Sequence, residues 1–92
     1  MADIGVRSIP DLRQFGDALK NVSEQMTQIF HNAEQRMHVV CEGWNDDNNR
    51  RFMEDFTQQV KMIEGISEKM KTYSQYIKRQ CEILDAYKST RL

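Results

Sequence analysis

At 92 residues the chain has room for one domain, near the lower limit for burying a core unaided. Thirteen Lys and Arg against fourteen Asp and Glu leave a formal net charge of −1. That excludes the basic face a nucleic-acid binder or a polybasic membrane anchor would need. One Pro and four Gly, with plentiful Glu, Gln, Lys, Arg and Met, give the composition of long surface helices and predict an all-α fold.

No apolar run approaches the ~20 residues needed to span a bilayer, so membrane insertion is not expected. The opening residues, Met1 to Arg7, lack the apolar segment of a cleavable signal peptide. The expected location is cytoplasmic, or secreted by a route that needs no such signal. Residues 1–8 lack periodicity and are expected to be flexible. Ser8-Ile9-Pro10-Asp11 reads as a helix start. Ser8 can cap, Pro10 is tolerated in the first turn, and Asp11 completes a capping-box pattern near the positive helix end.

The first helix is predicted over 9–42. Its apolar seam runs Leu12, Phe15, Leu19, Val22, Met26, Ile29, Ala33 and Val40, in alternating steps of three and four until Arg36 interrupts it. A turn over 43–46 follows. Gly43 supplies the left-handed residue that stops a helix, and a side chain of the run Asn45-Asp46-Asp47 caps the next one. Asn45 and Asp46 are both candidates for that cap. The second helix is predicted over 47–88, with a frayed tail at 89–92. Its seam runs Phe52, Phe56, Gln59, Ile63, Ile66, Met70, Tyr73, Ile77, Gln80, Leu84 and Tyr87. Exposed pairs such as Arg51 with Asp55 and Lys78 with Glu82 have i, i+4 spacing. Two helices of similar length joined by a tight turn lie antiparallel.

Apolar residues also fall beside the seams: Phe30, Met37 and Val39 on the first helix, and Met53, Val60, Met62, Tyr76 and Ile83 on the second. Two helices meet along one line, so this surplus predicts a second apolar face. That face would be a partner interface, pairing two hairpins into a four-helix bundle.

The two cysteines, Cys41 and Cys81, would lie near opposite ends of the hairpin, roughly 45 Å apart. That is beyond the ~7 Å limit of a disulfide, so reduced thiols are expected. A bridge between the subunits of an antiparallel dimer is the alternative. His31 and His38 are two turns apart, and neither has a convincing metal-ligand set; the Glu-x-x-His order of di-metal bundles is missing. Gly43 precedes the Asp46-Asp47-Asn48-Asn49 run, whereas a calcium loop needs its glycine within the acidic run. No metal, cofactor or catalytic residue is assigned, and the chain is not expected to be an enzyme.

Several features together resemble the WXG (Trp-x-Gly) proteins, small helical hairpins associated with type VII secretion. These are the Ile9-Pro10-Asp11-Leu12 start, the two heptad helices, Trp44 at the midpoint, and Phe52 eight residues beyond it. The resemblance covers about residues 9–88. It implies a homodimer or heterodimer of hairpins in a four-helix bundle, either exported itself or escorting an effector such as a toxin. It further implies a Trp44-bearing turn that acts as the recognition end, with its ring toward Phe52 and its edge open to a partner. Gly43, Trp44, Asp46 and Phe52 are therefore the motif residues. Two features depart from the family pattern. Asp46 stands where the family has glycine, giving a Trp-x-Asp variant. None of Tyr73, Tyr76 and Tyr87 is followed four residues later by an acid. The alternative expectation is a cytosolic adaptor, chaperone or structural module of another machine, such as a contractile type VI secretion system.

Overall fold

A computed structural model describes residues 8–90 as two helices, α1 (Ile9–Val40) and α2 (Asp47–Thr90). The hairpin is a rod about 71 Å long and 16 Å across. Ser8 is the N-cap of α1, and its hydroxyl accepts a hydrogen bond from the Asp11 amide at 3.0 Å. Helix α1 ends two residues earlier than its periodicity predicts, because Cys41 already leaves the helical conformation. Helix α2 continues to Thr90, past the expected fray at 89. Of the predicted flexible N-terminus only Ser8 is among the described residues, and Arg91 and Leu92 also lie outside them.

Between the helices, the Trp44 amide donates to the Cys41 carbonyl at 3.1 Å. This closes a turn whose third residue, Gly43, has φ of +83°. A turn of that shape requires a left-handed residue there, and only glycine adopts it without strain.

The helices pack in a register rotated from the expected one. One predicted column on each helix does face the other helix: Leu12, Leu19, Met26 and Ala33 on α1, and Phe56, Ile63, Met70, Ile77 and Leu84 on α2. These residues are buried or half-buried. The second column on each helix lies one residue later than predicted. On α1 it is Ile9, Gly16, Ser23, Phe30 and Met37; on α2 it is Met53, Val60, Ser67, Ser74 and Cys81. Gly16, Ser23, Ser67 and Ser74 are buried despite being small or polar.

The physical reason is close approach. A methyl group placed on Gly16 would lie 3.0 Å from Ile77 Cγ2 and 3.6 Å from the Ser74 carbonyl oxygen. Backbones this near let short side chains reach across. Ser67 Oγ donates to the Ser23 carbonyl and Ser74 Oγ to the Gly16 carbonyl, each at 2.7 Å. Cys81 Sγ makes the weaker equivalent contact with the Ile9 carbonyl at 3.9 Å. Because Ser67 has committed its one proton to Ser23, Thr27 is the donor in the 2.7 Å contact between their hydroxyls. Small donors at heptad spacing on α2 thus meet carbonyls at heptad spacing on α1. Each buried hydroxyl is satisfied, so its burial is tolerated.

Candidate interaction surface and turn

The rotation decides which residues face outward. Met37 (8% exposed) and Val60 (3%) lie inside the hairpin, and Phe30 and Met53 are half-buried in the same columns. These four were expected at a partner interface; the small-residue packing instead draws them into the intramolecular core. Val39, Met62, Tyr76 and Ile83 are exposed. The columns that the sequence placed in the seam are exposed too: Phe15, Val22 and Ile29 on α1, and Phe52, Ile66, Tyr73 and Tyr87 on α2.

These residues share one flank. In an antiparallel pair, the position just before each small core residue lies on the same side of both helices, and the position four after it lies on the opposite side. The opposite side is polar. It carries the Arg13–Asp85 ion pair at 2.7 Å across the two helices, and the His31–Glu64 contact lies at its edge. Both pairs are half-exposed, so they add little to stability; they do fix the character of that side. The other ion pairs among the described residues are Arg50–Asp47 and Lys71–Glu68, in place of the expected Arg51–Asp55 and Lys78–Glu82. The hairpin is therefore two-sided, with ion pairs on one flank and a long stripe of aromatic and aliphatic side chains on the other. An apolar stripe of this length, broken only at Arg36, Gln59 and Gln80, is a mark of an interaction surface.

The turn is built by residues of the motif. Asp46 is the α2 cap, resolving the choice between it and Asn45. Its Oδ1 accepts from the Asn49 amide at 2.8 Å, and its carbonyl accepts the first helical hydrogen bond, from the Arg50 amide. Its other oxygen, Oδ2, accepts from Trp44 Nε1–H at 2.6 Å. The Asn49 amide, the Trp44 indole N–H, the Asn48 amide and the Arg50 guanidinium together hold the Asp46 carboxyl below the usual aspartate range.

The edge of Trp44 that was expected to be open to a partner is thus occupied by Asp46. What the exposed ring (55%) offers is its π-face. The ring pair formed by Phe52 is with Phe56, at 6.0 Å and 50°. Asn49, overlooked in the sequence, is 2% exposed. Its Nδ2 donates to the Trp44 carbonyl at 2.6 Å and approaches Met53 Sδ at 3.4 Å. The signal was available: Asn49 lies seven residues before Phe56, in a core column.

Cys41 is half-buried and Cys81 is buried, both as free thiols. Among the described residues no group of three or more His, Cys, Asp or Glu is placed to hold a metal, and no helix is long and apolar enough to cross a membrane. Searches of family models, curated proteins and solved structures find no match to this chain.

Proposed function

We propose that the chain is a WXG-like helical hairpin that works by binding protein through its helix faces, either as a small exported protein or as an adaptor that escorts an effector to a secretion machine. The observation that carries this reading is the two-sided hairpin: the apolar flank displays Phe15, Ile29, Ile66 and Tyr73, while the cross-helix ion pairs lie on the other side. Such a flank is completed by two further helices, giving a four-helix bundle with either a second copy or a related hairpin. The exposed Trp44 π-face at the end of the rod is a second contact point for a partner.

At Asp46 the chain departs from the Trp-x-Gly pattern. Its carboxylate caps α2 and holds the indole, so the Trp-x-Asp variant has a structural role of its own that a glycine could not fill. Affinity capture from the native cells, with wild type and Ile66→Glu in parallel, tests the proposal. The expected result is a defined protein partner, or a second copy, retained by wild type and lost by the variant, together with genes for a secretion machine beside the coding sequence. Equal recovery with both baits would count against helix-face binding. A neighbourhood without secretion genes would count against the secretion role.

A further inference from the structure

The turn end of the rod is rich in acceptors. Residues 41–49 carry three acids, Glu42, Asp46 and Asp47, and no base. The C-terminal end of α1, the negative end of its dipole, opens onto the same turn. The Trp44 ring beside them is 55% exposed, and its face is electron-rich. Its N–H donates to Asp46 Oδ2 at 2.6 Å, so the one donor of the ring is spent. A second observation lies inside the turn. Asn49 is 2% exposed, and its Nδ2 donates to the Trp44 carbonyl at 2.6 Å and approaches Met53 Sδ at 3.4 Å. Its Oδ1 is buried and has no hydrogen-bond partner. Turning the carboxamide over does not repair this, because Oδ1 would then face the Trp44 carbonyl. A buried acceptor left without a donor is costly. The ring face, the spare lone pairs of the carboxylates and the Asn49 oxygen all call for a cation that carries N–H groups.

From this arrangement we propose that the turn binds an arginine side chain of a partner protein. The guanidinium stacks on the Trp44 ring and directs its N–H groups at the Asp46 carboxylate and the Asn49 oxygen. This rests on the reading of Trp44 as a contact point and names what it contacts. A guanidinium is flat, weakly hydrated and carries five N–H donors in a fixed fork. It can lie on an aromatic face and still reach acceptors beyond the edge of the ring. A lysine ammonium is a compact, strongly hydrated charge and matches two separate acceptors less well. An anion is repelled by the three carboxylates and by the ring face. The chain's own Arg50 does not fill the role, because its guanidinium is paired with Asp47. Residues 42–48 are exposed, which lets the turn shift enough to admit a guanidinium edge to Asn49 Oδ1.

The test titrates the full chain, labelled with heavy nitrogen, and follows it by NMR. The probes are N-acetyl-arginine methylamide, its lysine counterpart and its citrulline counterpart, which keeps the shape of arginine without the charge. The expected result is a saturable shift of the Trp44 indole N–H and Asn49 carboxamide signals with the arginine probe, which binds about 2- to 30-fold more tightly than the citrulline probe. Asp46→Asn, which still caps α2, should weaken arginine binding, and so should Trp44→Leu; circular dichroism checks that both variants stay helical. Equal binding of arginine and citrulline, or the absence of a saturable shift at these two residues, overturns the site. Lysine binding as tightly as arginine overturns the choice of a guanidinium. Affinity capture from the native cells separates this site from the helix-face reading. A partner lost with Ile66→Glu but kept with Trp44→Leu overturns the arginine site and leaves the helix face standing. A partner kept with Ile66→Glu but lost with Trp44→Leu supports the site and removes the helix face.

Discussion

Ser74 Oγ reaches the carbonyl oxygen of Gly16 at 2.7 Å, across an interface where a single methyl on that glycine would press on Ile77. This contact is why the hairpin turns its small residues inward and a stripe of large ones outward. Loss of the hydroxyl should be modest in cost, because the Gly16 carbonyl retains its place in the helical ladder. Ser74→Ala and Ser67→Ala should each destabilise the fold by about 1 kcal/mol. Ser74→Leu, which restores a conventional heptad, should cost about 1–3 kcal/mol by overpacking. Urea unfolding of the three variants checks the order; a stabilised Ser74→Leu would show that the helices are not held this close.

The glycines give an internal comparison. Gly65 is exposed, and a methyl there meets nothing within 4 Å. Gly65→Ala should therefore raise stability by about 0.5–1 kcal/mol through helix propensity. Gly16→Ala should not deliver that gain, because Ile77 is β-branched and its rotamer is stiff. Gly43→Ala meets no obstacle in space but must hold φ of +83°, which costs about 1–2 kcal/mol. Thermal melts of all three variants distinguish these cases.

Trp44 is the only tryptophan, so its fluorescence reports on the turn alone. The Asp46 carboxyl titrates below its unfolded range, chiefly because the Asn49 amide and the indole N–H bond to the charged form. A lowered folded pKa means that the stabilisation is fully present above the unfolded value of about 3.9 and is lost as pH falls through the folded value. Emission should therefore change below about pH 4 in wild type, and Asp46→Asn should abolish that acid transition. Asn still caps a helix, so Asp46→Asn should remain folded at neutral pH. Trp44→Ala should likewise keep most of its helicity, since the ring is exposed. Complete unfolding of Trp44→Ala, read by circular dichroism, would make the ring a structural plug.

Much of the fold was legible in the sequence. Ser8 and Pro10 mark the first helix start, Gly43 its end, and the Asn/Asp run the second start, because capping is local chemistry. The register was not legible. Both Phe15-Val22-Ile29 and Gly16-Ser23-Phe30 recur every seven residues, and counting large apolar side chains favours the first. The second is the one that packs, because glycine and serine permit an approach that lets hydroxyls reach carbonyls on the opposite helix. The same error exchanged Met37 and Val60 with Phe15 and Ile66 between surface and core. At the turn, the motif positions were visible, but the bond from Trp44 to Asp46 was not. A carboxylate two residues after a tryptophan can cap a helix without touching the indole, and only the turn geometry brings the two together.

The central claim is that the flank bearing Ile66 and Tyr73 is a protein-binding surface. Affinity capture from the native cells with tagged wild type beside tagged Ile66→Glu tests it most directly. Ile66 is exposed in the single hairpin, so the substitution should leave the helical circular dichroism intact. Wild type should retain a defined protein, or an untagged second copy, and the variant should lose it. Equal recovery by both baits, or no specific protein recovered by wild type, would contradict it.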